Sequence, residues 1–209
     1  MHKEDFIRVP YGSTVHGQDE IDAVVEVLNT TTQMSKNVRA FESKVASLFS
    51  TEYGIMVNSG TSALYLAFEA LNLPKGSEVI TPALTFGTTV ACLIKNDLVP
   101  VFVDVKPNTY CIDEGQIESK ITNNTSAIIA PDLMGNICEW PMISDIAKKN
   151  NLKVIVDSAD TLGAKYDETP TGSFADVAIT SFYGSHIING AGNGGMIVTS
   201  DLDVAEKCK

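Results

Sequence analysis

The strongest constraint on the fold is a series of short apolar runs that alternate with helix-forming segments. Each run has the length and composition of a strand buried on both faces. The segments between them carry apolar residues at helical spacing or a row of good helix formers. We predict strands at 53–57, 78–81, 99–103, 126–130, 152–156, 177–180 and 196–199, and helices at 18–29, 37–49, 63–71, 86–95 and 141–150. This alternation predicts an α/β fold with a mostly parallel sheet.

Length and composition favour a single domain over residues 1–209. A chain of 209 residues can bury a substantial core, and its sequence contains no repeat, low-complexity tract or linker. The last residues begin as a helix without a cap or stop signal, so we expect a truncated product.

Charge and cysteine content argue against several classes of protein. A net charge of −11 argues against a nucleic-acid binder that neutralises phosphates. The sequence has no apolar run of membrane-spanning length, and residues 1–5 do not resemble a signal peptide, so we expect a cytoplasmic protein that does not bind a membrane. The four cysteines are scattered without a CxxC pair. We therefore expect buried free thiols and no metal site within the chain.

Several polar groups fall where predicted strands end, which is where ligands bind in open α/β sheets. The NSGTS segment at 58–62 joins a strand to a helix, and its amides and hydroxyls suit a phosphate. An N-cap with a glycine turn would use the same residues. Asp157 and Asp160 follow an apolar strand, where a carboxylate needs a cation or a protonated ring nitrogen as its partner. Alternatively, Asp160 caps a short helix and Asp157 binds loop backbone.

Two further features lie near predicted strand ends. Phe86 is either a core residue or a ring that stacks on a flat cofactor. The glycine-rich segment 181–195 contains one ionisable side chain, His186, and the hydroxyls of Ser181 and Ser185 could bind an anion. The alternative is a flexible surface loop with a solvated histidine. In this order along the chain, the phosphate cradle, stacking ring, buried acid and serine-containing loop together describe a site for pyridoxal 5'-phosphate (PLP).

These residues occur in motifs that resemble the DegT/DnrJ/EryC1/StrS family of PLP-dependent sugar aminotransferases. The matching segments are VPYG at 9–12, NSGTSAL at 58–64, EVITPALTF at 78–86, PVFVDV at 100–105, GSFAD at 172–176, SFY at 181–183 and GGM at 194–196. The resemblance implies the type I aminotransferase fold, whose large domain has three α/β/α layers around a mostly parallel sheet. It also implies that Gly60, Thr61 and Ser181 hold the cofactor phosphate, that Phe86 stacks on the pyridine ring, and that Asp157 pairs with the ring nitrogen.

The chain departs from the aminotransferases at the position of their cofactor-linking lysine. His186 occupies that position, and the sequence has no lysine between Lys165 and Lys207. Asp160 stands where aminotransferases usually have glutamine. With LMGN at 133–136, these residues resemble the sugar 3-dehydratase branch of the family. That resemblance implies that pyridoxamine 5'-phosphate (PMP) is held without a covalent bond, that Asp160 belongs to the cofactor site, and that His186 is the base in dehydration at C3 of a 4-keto-6-deoxy nucleotide sugar.

Two differences from that branch concern the loop. GSHI at 184–187 replaces a frequent Pro-Ala-His-His, and Asn193 replaces an acid between the glycines. Two alternatives to the dehydratase stay open: a PLP-dependent nucleotide-sugar aminotransferase that uses another route, and a non-catalytic truncated fragment. The resemblance further implies a C-terminal small domain beyond this chain and a homodimer. It implies regeneration of the cofactor either by glutamate or by a reductase partner with an iron–sulfur cluster bound in the C-terminal region.

Overall fold

The computed structural model describes residues 7–10, 12–13 and 15–209. Residues 1–5, for which the sequence predicts no signal peptide, lie outside the described residues. Tyr11, which belongs to one of the family motifs, also lies outside them.

A seven-stranded sheet forms the centre of the described chain. Its strands are β1 (Tyr53–Val57), β2 (Glu78–Pro82), β3 (Val99–Val103), β4 (Thr125–Pro131), β5 (Lys153–Asp157), β8 (Val177–Ser181) and β9 (Gly195–Thr199). They lie in the order β1-β9-β8-β5-β4-β2-β3; β2, β3, β4, β5 and β8 run parallel to one another, and β9 pairs antiparallel with both β1 and β8. The mostly parallel sheet predicted from the sequence is therefore confirmed. A separate hairpin joins β6 (Lys165–Tyr166) to β7 (Thr169–Pro170).

Helices cover both faces of the sheet, so the architecture has three layers. Helices α2 (Lys36–Leu48) and α5 (Trp140–Lys149) contribute to the core on one face, and α3 (Gly60–Leu71), α4 (Gly87–Lys95) and α6 (Leu202–Lys207) to the core on the other. Successive residues of each inner strand point to opposite cores: Ile128 and Ala130 face the first, whereas Ala127 and Ile129 face the second. Because both faces are covered, the inner strands are apolar throughout.

Helix α1 (Gln18–Thr30) differs from the other helices because none of its residues is buried. The apolar spacing correctly predicted a helix, and acidic residues occupy its first turn. Its apolar side chains remain about half exposed, namely Ile21, Val24, Val25 and Leu28. The helical period therefore identified the element but not its packing.

Helix α3 begins at Gly60, earlier than the predicted start at residue 63. Ser59 is its N-cap, and the Ser59 hydroxyl accepts a hydrogen bond from the Ser62 amide at 3.1 Å. The capped first turn contains glycine and hydroxyl residues, which lack the apolar pattern that marks the rest of the helix. Its N-terminus consequently lies directly after β1, beside the ends of β8 and β9.

Candidate functional site

The predicted phosphate-binding residues come together at the N-terminus of α3. A Cβ atom added to Gly60 would lie 2.8 Å from Cβ of Ser181, which is the last residue of β8. Gly195 pairs with Ser181 across the sheet, and a Cβ added there would lie 2.3 Å from the carbonyl carbon of Ser59. The first-turn amides of a helix have no intrahelical acceptor. Gly60, Thr61 and Ser181 therefore place amides and a hydroxyl at the positive end of the helix dipole.

Asp157, the last residue of β5, is a buried carboxylate at the same edge of the sheet. Its Oδ2 accepts a hydrogen bond from the Thr89 hydroxyl at 3.1 Å, and its Oδ1 accepts one from the Ala159 amide at 3.2 Å. Burial raises the pKa of Asp157 to about 6, while these two donors act in the opposite direction. Asp157 pairs with Ile179 of β8, two residues before Ser181, so the carboxylate and the α3 N-terminus lie at the same edge of the sheet.

Phe86 is not a core residue, because its side chain is 69% exposed. It is the N-cap of α4, and its carbonyl accepts a hydrogen bond from the Thr89 amide at 3.0 Å. The same Thr89 binds Asp157 through its hydroxyl. One helical turn thus connects the exposed ring to the buried carboxylate. This exposure leaves the Phe86 ring accessible for stacking on a flat cofactor.

His186 and Asp160 form a pair in the glycine-rich region. Nδ1 of His186 lies 3.5 Å from Oδ1 of Asp160, and both side chains are partly buried. The amide of His186 donates a hydrogen bond to the carbonyl of Tyr183 at 2.9 Å, which makes a tight turn of this part of the loop. In the structure, His186 therefore has a carboxylate neighbour and a partly buried side chain.

The turn at Met134, which follows β4, contributes a hydrogen bond to the Asp160 carboxylate. The Met134 amide donates a hydrogen bond to Oδ2 of Asp160 at 3.0 Å. Met134 has φ of 55°, which is the left-handed region that non-glycine residues rarely adopt. Asp160 therefore accepts this bond with one oxygen and lies beside His186 with the other, rather than acting as a helix cap.

Asp132 is a buried acid at the same edge of the sheet that the sequence reasoning did not single out. It follows β4 directly, is 1% exposed, and its amide donates to the carbonyl of Asp157 at 3.0 Å. Burial raises the pKa of Asp132 to about 7, although Cys138 and Trp140 donate hydrogen bonds to it. The available signal was the one used for Asp157, namely an acid directly after an apolar strand.

The described residues fit a group with a phosphate, a flat ring and a protonatable ring nitrogen. Among them, no lysine or arginine forms an ion pair or hydrogen bond with Asp157 or Asp160. A buried carboxylate without a cation requires a ligand partner or a proton. Because a Cβ atom at residue 60 would clash with Ser181, glycine there allows the helix N-terminus to lie directly against the end of β8.

The profile of the DegT/DnrJ/EryC1/StrS aminotransferase family matches residues 15–209. The chain belongs to this family. Its members among the relatives include sugar aminotransferases and 3-dehydratases, and solved family structures share the α/β fold and the mostly parallel mixed sheet described above. The family resemblance inferred from the motifs is thereby confirmed.

The proteins similar to this chain include an aminotransferase and a 3-dehydratase. The chain is 37% identical over 200 residues to GDP-perosamine synthase from Escherichia coli O157:H7, covering 95% of this chain and 54% of that protein. An aminotransferase from Psychrobacter cryohalolentis superposes with a TM-score of 0.89 at 32% identity, over 96% of this chain and 51% of that one. The E. coli GDP-4-keto-6-deoxy-D-mannose-3-dehydratase with bound hydrated PLP superposes with a TM-score of 0.89 at 30% identity, over 96% and 53%. The chain therefore spans about half the length of these relatives.

Of the helices that the structure describes, none has the length and apolarity needed to cross a membrane. All four cysteines are buried and free, as the sequence predicted. Among residues 7–10, 12–13 and 15–209, no cluster of three or more potential ligands could hold a metal ion.

Proposed function

We propose that this chain is the cofactor-binding part of a PMP-dependent nucleotide-sugar 3-dehydratase. The substrate would be a 4-keto-6-deoxy nucleotide sugar that loses its C3 hydroxyl group, in the biosynthesis of a deoxysugar. His186 would be the base, and Asp160 would support it.

The observation that carries this proposal is the partnership of His186 with Asp160. In the family, a lysine at the position of His186 would link the cofactor covalently, and residues 166–206 contain no lysine. The structure pairs the replacement histidine with a carboxylate that also accepts the Met134 amide. A carboxylate beside Nδ1 fixes the orientation of an imidazole and leaves its Nε2 to face a ligand, as a base needs. A merely structural histidine does not require this arrangement.

The other residues would bind and orient the cofactor. Gly60, Thr61 and Ser181 would hold its phosphate at the α3 N-terminus, and Phe86 would cover a face of its ring. Asp157 would be ionised and would pair with the protonated ring nitrogen, which relieves the cost of its burial. When bound, PMP supplies an amine that condenses with a keto group and an electron-withdrawing ring that stabilises negative charge. His186 would accept the proton that is released beside the ring.

An aminotransferase is the second candidate, because two of the similar proteins favour it. The relative from E. coli O157:H7 is named GDP-perosamine synthase, and the Psychrobacter structure is that of an aminotransferase. Because residue 186 is a histidine, such an enzyme would need an amine from elsewhere in the protein to bind the cofactor covalently. For either activity, we propose a nucleotide-linked keto sugar as the substrate, a homodimer as the assembly, and glutamate or a reductase as the regenerating partner.

The proposal is tested by cofactor retention and borohydride reduction. The chain is incubated separately with PLP and PMP, freed of excess cofactor and examined by absorbance, and its intact mass is measured after reduction. We expect retained PMP and no covalent pyridoxyl adduct. A His186→Lys variant is the matched control, and it should form an adduct that maps to residue 186. An adduct on a lysine of the unaltered chain would favour the aminotransferase, and loss of both cofactors would favour a non-catalytic fragment.

A further inference from the structure

We propose that Asp132 is a positioning residue for the pair that His186 forms with Asp160. Asp132 would hold a short loop, residues 132–138, in the shape that directs the Met134 amide at the Asp160 carboxylate. Asp132 would thus act through Met134 and Asp160 and not through contact with a ligand. The link from this pair to dehydration rests on the proposed function.

The side chain of Asp132 closes the 132–138 loop at its base. Asp132 directly follows β4, and its Oδ1 accepts a hydrogen bond from the Cys138 amide at 2.8 Å. The Cys138 thiol donates to the carbonyl of Pro131 at 3.3 Å, so two bonds join the end of the loop to the residues at its start. Nε1 of Trp140, the first residue of α5, donates to the same Oδ1 at 2.9 Å. One carboxyl oxygen therefore fixes both the loop and the helix that follows it.

Burial makes the bonds at the base of the loop costly to lose. Asp132, Cys138 and Trp140 are each at most 1% exposed. Without the carboxyl, two buried N–H groups would lose their acceptor with no water to replace it, which is unfavourable. Asp132 is also the N-cap of the 3₁₀ turn Leu133–Gly135, yet its side chain makes no capping bond to that turn. The carboxyl is directed instead at donors six and eight positions further along.

The tip of the closed loop faces Asp160. Met134 has φ of 55° and Gly135 has φ of 84°, so two successive residues adopt the left-handed region. The Met134 amide at this turn donates to Oδ2 of Asp160 at 3.0 Å. A non-glycine residue keeps such a conformation only where its surroundings hold it. Because the Met134 side chain is 72% exposed, packing of that side chain does not hold the turn.

Local hydrogen bonds shape the turn but do not connect it to the sheet. Asn136 donates to the Leu133 carbonyl through its backbone amide at 3.0 Å and through Nδ2 at 3.2 Å. These two bonds stay within the loop. Asp132, by contrast, donates its amide to the carbonyl of Asp157 in β5 at 3.0 Å and binds α5 through its side chain. The place of the Met134 amide relative to the site therefore depends on Asp132.

Loss of Asp132 would affect the proposed base through Asp160. Without the Met134 amide, Oδ2 of Asp160 loses this donor, and its Oδ1 is free to move away from Nδ1 of His186, now 3.5 Å distant. A displaced carboxylate would no longer fix the orientation of the imidazole. We therefore expect variants of Asp132 to slow proton transfer while the residues that hold the cofactor stay in place.

Amide hydrogen exchange tests the anchor without any cofactor. The chain contains six methionines, so selective ¹⁵N-methionine labelling gives few NMR signals, and a Met134→Leu variant assigns the signal of residue 134. In Asp132→Ala, which removes the acceptor of both donors, we expect the Met134 amide to exchange at least about tenfold faster. Met196, buried in β9, is the internal reference and should keep its rate. Equal acceleration of both amides, or none at Met134, would overturn the proposal.

Two further variants separate positioning from general destabilisation. Asp132→Asn keeps a carbonyl oxygen for both donors and places its amide group at Oδ2, which has no partner among the described residues. It should restore slow exchange at Met134, and fast exchange there would overturn the proposal. Ile143→Ala removes buried volume from α5 in the same core. This control should leave the ratio of the Met134 rate to the Met196 rate unchanged, and a raised ratio would count against the assignment to Asp132.

Trp140→Phe keeps the proposal falsifiable if Asp132→Ala does not fold. It removes one donor to Asp132 and leaves the Cys138 bond, so the Met134 amide should exchange faster than in the unaltered chain. In a chain that already carries Asp160→Ala, the same change should add no acceleration, because Met134 has no acceptor left to lose. An added acceleration in that background would overturn the proposed route through Asp160.

Single-turnover kinetics with PMP connect the anchor to the base. Asp132→Ala should lower the rate by about tenfold, the loss that we expect for the charge of Asp160, and should leave the affinity for PMP unchanged. Asp132→Asn should restore the rate. An unchanged rate in Asp132→Ala would overturn the role of Asp132 toward His186. Failure of the unaltered chain to catalyse dehydration would reject the proposed function alone, because the exchange results do not depend on turnover.

Discussion

Oδ1 of Asp160 lies 3.5 Å from Nδ1 of His186, and this pair joins the loop after β8 to the segment after β5. The other oxygen of Asp160 accepts the Met134 amide at 3.0 Å, which connects the pair to the segment after β4. Nε2 of His186 is the ring nitrogen that does not face Asp160. It is therefore the atom that we expect to exchange a proton with a ligand.

Replacing His186 with asparagine should remove the base without removing the binding site. We expect turnover of a 4-keto-6-deoxy nucleotide sugar to fall by about 10²- to 10⁴-fold, which is the usual contribution of a positioned base. Single-turnover kinetics with PMP would measure the loss, and retention of PMP after gel filtration should stay unchanged. Turnover equal to that of the unaltered chain would contradict the assigned role.

Asp160→Asn tests the charge of the partner rather than its shape. The asparagine oxygen can still accept the Met134 amide, but it places no full negative charge beside Nδ1 of His186. A unit charge at about this separation contributes about 1 kcal/mol in water and more where it is partly buried, so we expect the rate to fall by about tenfold. The same single-turnover assay applies, with Asp145→Asn as the control for loss of an acid. An effect no larger than in that control would contradict a role for the Asp160 charge.

Gly60→Ala should weaken binding of the phosphate group. The added Cβ would lie 2.8 Å from Cβ of Ser181, so either the serine or the helix N-terminus must shift. Gly87→Ala is the matched control, because it also places alanine in the first turn of a helix and its Cβ would meet nothing within 4 Å. We expect at least a tenfold loss of affinity for PLP in Gly60→Ala, about 1.4 kcal/mol, and little change in the control. Equal affinities measured by fluorescence titration would refute this assignment.

Thr89→Val should raise the pKa of Asp157 above its value of about 6, because the Thr89 hydroxyl donates to Oδ2 and favours the ionised form. Since a protonated Asp157 cannot pair with a ring N–H, the affinity for PLP should begin to fall at a higher pH when the solution is acidified. Binding titrations across pH would measure the shift. Val90→Thr, a change of the reverse kind at the next residue of α4, serves as the comparison. Superimposable pH profiles for Thr89→Val and the unaltered chain would contradict the role of this hydrogen bond.

The pH dependence of stability should reflect Asp132. Its pKa of about 7 exceeds the value near 4 of an unfolded aspartate, so the folded state binds more protons between these values. The contribution of Asp132 to the free energy of unfolding should therefore fall by about 4 kcal/mol as the pH rises from about 4 to about 7, and Asp132→Asn should remove this part of the pH dependence. Urea unfolding at several pH values would measure the difference, and parallel profiles would contradict it.

Local patterns were enough to predict the α/β class, the seven strands of the central sheet and five of the α-helices, but not the β6–β7 hairpin. Apolar runs such as 154–156 and 177–179 have few alternatives once turns bound them, and each resulting strand lies where the sequence predicted it. The motifs also identified the family, together with the histidine at the position of its lysine. The start of α3 was predicted late, because a capped first turn made of glycine and hydroxyl residues carries no apolar period.

Contacts between distant segments depended on the tertiary structure. Strand β9 lies between β1 and β8, and this order brings Gly60 against Ser181 although 121 positions separate them in the sequence. The partner of His186 likewise depends on how the segments after β5 and β8 meet. Packing also decides that Oδ2 of Asp132 has no donor among the residues the structure describes. Periodicity describes which face of an element is apolar, whereas strand order and side-chain direction arise from packing of the whole chain. The sequence by itself therefore determined the elements and the kinds of chemical group present, and only the tertiary structure decided which groups meet.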